Sequence, residues 1–164
     1  MLVGIISDTH DNVKAVEKAV RLFNDRGVSK VLHAGDWCAP FTLAKFKGLK
    51  ADLVGVYGNV DGERELLKKR AEELGFHLAG YVCELDIDGL KVALFHGHLE
   101  PFAAAMIRCG VYQVVVRGHT HKPAVERVGD TLVVNPGEAC GWLYGRSTVA
   151  VLDTKKLSVE IIEL

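Results

Sequence analysis

The chain has 164 residues and a mass of 17.9 kDa, which suits one domain with a sizeable core, and we expect a single domain over 1–164. Its formal net charge of -1 provides no broad basic surface, so binding to long nucleic acid is not expected. No run of 18 apolar residues, no secretory leader pattern and no C-x-x-C pair among its four cysteines occurs, so we expect a cytoplasmic protein with reduced thiols and no membrane association.

The first half of the chain alternates short apolar runs with segments of helical period. The runs are LVGIIS, KVLHAGD and DLVGVYGN. Helical segments are predicted over 12–26, 41–47 and 62–74. In the first of these, Val16, Val20 and Phe23 share one face, and Asp11 or Asn12 is suited to cap its start. This alternation predicts βαβ units with parallel strands.

After Gly75 the pattern changes to strands joined by tight turns. ELDIDGLKVALFH crosses Asp88-Gly89 and AVERVGDTLVVN crosses Gly129-Asp130, and both predict hairpins. A further helix is predicted over 101–109, and STVAVLDTKKLSVEIIEL predicts a last hairpin. Because no repeat or linker separates the two halves, we predict an α/β fold of two packed sheets with helices outside.

Polar side chains follow five of the apolar runs directly. They are Asp8 and His10, then Asp36, then Asn59, then His96 after KVALF, and finally His119 with His121 after VVVRG. The carboxyl ends of parallel strands share one edge of a sheet, so these seven donors should converge. Any one of them alone is more typical of a helix cap or a turn. Together they would be costly to desolvate without a cation, which predicts a metal site.

Seven donors exceed the four of a tetrahedral zinc site, and one carboxylate can bridge two ions about 3.5 to 4 Å apart. The sequence therefore favours two divalent ions. Imidazole, carboxylate and amide donors without thiolate favour manganese, with nickel, iron, cobalt or zinc as alternatives, over a calcium cage.

The ordered motifs D-x-H (8–10), G-D (35–36), G-N (58–59), His96 and G-H-x-H (118–121) resemble those of the calcineurin-like metallophosphoesterases, in particular their small single-domain phosphodiesterase branch. The similarity covers nearly the whole chain. It implies a four-layer α-β-β-α sandwich with two mixed β-sheets flanked by helices. It also implies hydrolysis of a small phosphodiester by a hydroxide that bridges two metals.

The same resemblance implies the ligand sets. One metal would be held by Asp8, His10, Asp36 and His121, and the second by Asp36, Asn59, His96 and His119. Asp36 would thus bridge the two ions, and Asn59 would also contact the substrate.

Two positions depart from the pattern of many relatives. Where these read G-N-H-[DE], this chain reads GNVD, so Val60 replaces the histidine often assigned as general acid. His98 in HGH is the predicted substitute, as a catalytic and substrate-binding residue, and a loop histidine bonded to backbone is the alternative. Where many relatives read NPGS, this chain reads NPGE, which would place Glu138 near the mouth of the site. Arg146 would clamp a phosphate oxygen there or form a surface ion pair.

Three further interpretations stay open. The exposed apolar run of Trp142, Leu143 and Tyr144 would either form a contact between copies in a homo-oligomer or wall the substrate pocket. A non-catalytic, metal-binding interaction scaffold of the retromer-subunit type would have the same fold, although the intact ligand set favours an enzyme. A nuclease acting on long nucleic acid would need a basic track with stacking aromatics, which is not evident here.

Overall fold

The computed structural model describes residues 1–164 and contains eleven strands and four α-helices. The strands are β1 (Leu2–Ile6), β2 (Lys30–His33), β3 (Asp52–Gly55), β4 (His77–Leu78), β5 (Val82–Ile87), β6 (Leu90–Phe95), β7 (Val114–Val116), β8 (Pro123–Val128), β9 (Thr131–Pro136), β10 (Thr148–Asp153) and β11 (Ser158–Glu163). The helices are α1 (Val13–Asp25), α2 (Pro40–Leu43), α3 (Arg64–Glu73) and α4 (Glu100–Arg108). No helix is both long and apolar enough to cross a bilayer.

The strands form two mixed sheets. The first has the order β11-β10-β1-β2-β3-β4, with β1 to β4 parallel and β10 antiparallel to β1. The second has the order β5-β6-β7-β9-β8, in which β6, β7 and β9 run parallel. Parallel strands from both sheets therefore present their carboxyl ends for a ligand site.

Alternating side chains of the strands fill three apolar layers. Val92 and Leu94 of β6 pack between the two sheets, whereas Phe95 of the same strand packs beneath α4. In the first sheet Ile5 points between the sheets and Ile6 points to the helix side, because successive residues of a strand face opposite ways. The layers are thus helix, sheet, sheet and helix, and the predicted α-β-β-α sandwich is confirmed.

Local sequence signals account for much of this frame. The Asn12 side chain accepts a bond from the backbone N of Ala15 at 3.2 Å and so caps α1. Asp88 and Gly89 both have positive φ, 54° and 79°, as a two-residue hairpin turn requires. The segment predicted as one helix over 41–47 is instead α2 followed by a 3-10 turn (Ala44–Phe46). Strand β4 was not predicted, because two residues are too short to show an alternating pattern.

Candidate metal centre

Loops that follow β1, β2, β3, β6 and β7 bring all seven predicted ligands to one region at the carboxyl ends of parallel strands. The first predicted set forms a tight group, since one ligand atom from each of Asp8, His10, Asp36 and His121 lies within 4.8 Å of all the others. His121 Nε2 is 3.3 Å from Asp8 Oδ1, and His10 Nε2 is 3.5 Å from Asp36 Oδ2.

The second predicted set lies on the other side of Asp36. Asn59 Oδ1 is 2.9 Å from His96 Nε2 and 3.0 Å from His119 Nδ1. Asp36 Oδ2 is 3.2 Å from the same His96 nitrogen. One carboxylate oxygen of Asp36 therefore contacts imidazoles of both sets, which is the position that a bridging ligand needs.

The donor chemistry fits a cation. His96 Nδ1 donates to the Ala34 carbonyl at 2.8 Å, so in the neutral ring Nε2 carries the lone pair that faces the Asp36 and Asn59 oxygens. The buried atoms Asp8 Oδ1 and His10 Nε2 have no hydrogen-bond partner within the protein. Lone pairs that converge in this way repel one another unless a proton or a metal ion lies between them.

The carboxylates next to His10 and His96 favour protonation of these two imidazoles. The Asp8 carboxylate, with Oδ1 3.8 Å from His10 Nε2, raises the pKa of His10. Burial opposes a charge on His96, yet its hydrogen bond to Asp36 raises the pKa of His96 above the ordinary value. Metal binding would displace these protons, because a histidine binds a metal through a nitrogen that carries no proton.

The backbone at the ligands is held in an unusual conformation. Asp8, His10, Asp36, His119 and His121 all have positive φ, between 38° and 71°. Residues other than glycine rarely adopt these backbone angles. Such backbone strain clusters at functional sites, where the surrounding structure enforces it. The strain indicates that the loops are shaped to aim these side chains.

Two glycines allow the loops to pass close to the ligands. A Cβ added at Gly58 would lie 1.9 Å from Asp36 Oδ1 and 2.5 Å from the Asp36 backbone N. A Cβ at Gly118 would lie 1.9 Å from Ser7 Oγ and 2.7 Å from Asp8 Oδ2. Neither contact can be accommodated without moving a ligand, so both positions need glycine.

Asp61 supports the loop that carries Asp36 by accepting hydrogen bonds from the backbone. Its carboxylate is buried and accepts backbone N–H bonds from Gly58 at 2.7 Å, Cys38 at 2.8 Å and Asp36 at 3.1 Å. Burial raises the pKa of Asp61, although these three bonds favour its charged form. Asp61 thus positions the loop of Asp36 through the backbone.

His33 supports the same loop. Its Nδ1 accepts from the Gly35 backbone N at 3.1 Å, its Nε2 lies 3.2 Å from Thr9 Oγ1, and its ring stacks on Trp37. Burial lowers the pKa of His33 well below the ordinary value, so the ring stays neutral. These contacts orient the loop that leads to Asp36, and none of them reaches the ligand atoms.

Glu138 does not lie at the mouth of the site, and that prediction is wrong. The residue is buried, with 1% of its surface exposed, and its Oε2 accepts from His121 Nδ1 at 2.8 Å. Backbone N–H groups of Leu143 and Tyr144 also donate to it, at 3.0 and 2.6 Å. Burial is offset by these bonds, which lower the pKa of Glu138. A carboxylate that accepts a hydrogen bond from the ring nitrogen of a histidine facing away from a metal fixes the tautomer and the orientation of that ring.

We expect Glu138→Gln to weaken divalent metal binding about 10- to 100-fold, the usual effect of losing such a partner. The amide keeps the shape but removes the charge that holds the Nδ1 proton of His121. The manganese affinity of the variant is measured by calorimetric titration after a chelator has removed bound metal. Glu163→Gln, which removes the surface pair with Arg146, is the matched control. Equal affinity in Glu138→Gln and the control would contradict the role.

His98 and Arg146, the two predicted substrate residues outside the ligand set, differ in placement. The His98 ring lies 5.7 Å from the His96 ring and 6.2 Å from the His119 ring, between centroids. The Nδ1 atom of His98 is buried and forms no hydrogen bond to the protein. The alternative, a loop histidine bonded to backbone, therefore does not hold at this atom. Arg146 forms a two-bond pair with Glu163 at 2.8 and 3.0 Å on the exposed surface, and clamping a phosphate would require it to leave this partner.

Trp142, Leu143 and Tyr144 form an exposed rim beside the first ligand set. They are 64%, 67% and 51% exposed, and the Trp142 indole N–H donates to the His10 carbonyl at 3.3 Å. Cys140 lies under this rim, near His10. Burial raises the pKa of the Cys140 thiol to about 12, and the thiol donates to Glu138.

Two mixed sheets with a cluster of histidine, aspartate and asparagine at their strand ends define an α/β sandwich protein with a candidate metal centre. Comparison with known proteins makes the class specific. The chain belongs to the calcineurin-like phosphoesterase superfamily, whose domain model matches residues 1–157.

The relatives agree with this assignment. A phosphodiesterase of Methanocaldococcus jannaschii is 41% identical over 157 residues, which cover 95% of each chain. The solved structure of an archaeal phosphodiesterase is 40% identical, covers 100% of both chains and superposes with a TM-score of 0.96. Vps29 of Entamoeba histolytica in complex with Zn²⁺ is 23% identical, covers 100% of this chain and 98% of its own, and has a TM-score of 0.69. This last likeness shows the fold alone.

Proposed function

We propose that this chain is a phosphodiesterase that hydrolyses a small phosphodiester with two divalent metal ions. The observation that carries the proposal is the position of Asp36 Oδ2, 3.5 Å from His10 Nε2 and 3.2 Å from His96 Nε2. One carboxylate oxygen thus serves both ligand sets. The relative that is 41% identical and named a phosphodiesterase supports the choice of reaction.

Each ligand residue has a defined part in this proposal. Asp8, His10 and His121 would hold one ion, Asn59, His96 and His119 the other, and Asp36 both. Bound ions would supply Lewis-acid activation of water and neutralise charge on the phosphoryl oxygens during in-line attack. The protein contributes the aim of the ligands, through the strained loops and the carboxylates of Asp61 and Glu138 behind them.

Manganese is our proposed metal, with nickel, iron, cobalt or zinc as alternatives. The donors are four imidazoles, two carboxylates and one amide, a set that suits borderline divalent ions better than calcium. Two thiols lie close to the ligands, and each has a partner other than a metal: Cys140 donates to Glu138, and Cys38 Sγ lies 3.4 Å from His10 Nδ1.

The alternative function is a non-catalytic, metal-binding scaffold of the retromer-subunit type. The fold is compatible with both, since the chain also superposes on Vps29. A scaffold would not need a bridging carboxylate between two complete ligand sets, nor a buried Glu138 that aims a ligating imidazole. These features favour the enzyme.

The proposal is tested by hydrolysis of bis-p-nitrophenyl phosphate beside p-nitrophenyl phosphate. Chelator-stripped protein should be inactive, and manganese added back should restore turnover of the diester in preference to the monoester. Parallel additions of nickel, zinc and magnesium rank the metals. If metals bind but none gives turnover of either ester, the catalytic proposal fails and the scaffold takes its place.

His98 is proposed to protonate the leaving group. A general acid matters most when the leaving group is poor, with effects of about 10² to 10⁴ in rate. We expect His98→Ala to slow hydrolysis of diphenyl phosphate at least ten times more than that of bis-p-nitrophenyl phosphate, whose phenol is more acidic. Steady-state rates on the two diesters measure this, and His77→Ala, an exposed histidine on β4, is the control. Equal losses on both diesters would assign His98 a role other than proton donation.

A further inference from the structure

An apolar cavity of about 330 Å³ opens beside the second ligand set. His96 and His98 form one part of its wall, and the remaining wall is apolar apart from the backbone of Gly97. The apolar wall consists of Tyr81, Val82, Phe95, Leu99 and Phe102. Nothing in the metal centre requires these residues, because none of them offers a metal ligand.

The cavity wall is unusually apolar for an exposed surface. Leu99 is 59% exposed, Tyr81 51%, Phe102 38% and Val82 37%, and all four border the same concavity. Single exposed apolar side chains are ordinary, but a group of them around one hollow marks a binding site. A concave hollow of this size fits a small organic group rather than a flat protein partner.

The wall is also pre-formed. Phe102 packs edge-on against the buried Phe95, with ring centroids 5.4 Å apart. Tyr81 packs edge-on against Tyr57 at 5.8 Å, and the guanidinium carbon of Arg64 lies 5.1 Å from the Tyr81 ring centroid. A wall held in this way binds without first being ordered.

We propose that this cavity is a substrate subsite that receives an aromatic ester group of the phosphodiester while its phosphate lies on the metal centre. The inference rests on the proposed function for the identity of the charged group. It goes beyond it by assigning the substrate class: diesters that carry an aryl or other flat apolar substituent are preferred over those with small alkyl groups. His96 joins the two regions, since it is both a predicted ligand and part of the cavity wall.

The test compares two non-hydrolysable ligands, phenylphosphonate and methylphosphonate, by calorimetry on the manganese-loaded protein. They share the charged group and differ in the ring. We expect phenylphosphonate to bind about tenfold tighter or more, as burial of a ring-sized apolar group implies. In Leu99→Ser and in Phe102→Ala this preference should fall below about threefold. Leu99 occupies the cap position of α4 without capping it, so serine there should not impair folding.

Val111→Ser is the matched control, because Val111 is 49% exposed and lies outside the cavity. Its preference should equal that of the unaltered chain. No preference for phenylphosphonate in the unaltered chain, or an undiminished preference in both wall variants, would overturn the subsite. Bis-p-nitrophenyl phosphate hydrolysis by the same preparations separates the two proposals. Turnover without ring preference removes only the subsite, whereas ring preference without turnover removes only the proposed reaction.

Discussion

Asp36→Asn should reduce manganese-dependent hydrolysis of bis-p-nitrophenyl phosphate by on the order of 10³-fold, the loss expected when charge stabilisation at the reacting centre is removed. The asparagine keeps the size of the side chain but loses the negative charge that faces His10 and His96, at 3.5 and 3.2 Å. No other carboxylate contacts imidazoles of both ligand sets. The loss should therefore appear in kcat, with the diester rate measured at saturating manganese.

Asp52→Asn is the control for this change, because Asp52 is exposed and pairs only with Lys30 at 3.5 Å. Thermal unfolding of both variants shows whether the fold is kept. Metal content should fall in Asp36→Asn alone. Retention of more than a tenth of the activity in a folded Asp36→Asn protein would show that the carboxylate does not bridge a catalytic pair of ions.

Gly58→Ala should give the next largest effect, a loss of about 10²-fold in diester turnover, because a ligand displaced by 1 Å has an effect of that size. The added methyl would lie 1.9 Å from Asp36 Oδ1 and 2.5 Å from the Asp36 backbone N. The nearest atoms include backbone, so a side-chain rotation alone cannot relieve the contact. Asp36 would have to move away from the histidines, and metal affinity should fall with the rate.

Gly62→Ala is a matched control four residues along the same loop, where an added Cβ meets nothing within 4 Å and φ is not positive. Rate, manganese affinity and melting temperature should all stay near those of the unaltered chain. Similar losses in the two alanine variants would show that loop flexibility, rather than the approach to Asp36, sets the requirement for Gly58.

The sequence predicted the features that repeat with the strands. Asp8, Asp36, Asn59, His96 and His119 each follow an apolar run, and the register of a parallel sheet brings such positions to one edge. The fold class followed from the same alternation of strands and helices. The predictions of the ligand positions and of the fold class both depended on local patterns that occur several times along the chain.

Features that join distant segments were not predictable in this way. Glu138 bonds to His121 across 17 residues, and the sequence signal, NPGE in place of NPGS, showed only that the position was unusual. The apolar cavity draws Tyr81, Leu99 and Phe102 from β5 and α4 and the loops before them, and none of the three stands out from ordinary exposed apolar residues. Only packing in three dimensions makes them one surface.

The measurement that tests the central claim most directly is a manganese titration of the chelator-stripped chain, with bound metal and diester hydrolysis recorded on the same samples. Two ions should bind per chain, and activity should appear only as the second is taken up, because Asp36 is shared by both ligand sets. His121→Ala and His119→Ala should each lower the bound metal toward one ion. Full activity with a single bound ion would contradict the two-metal account.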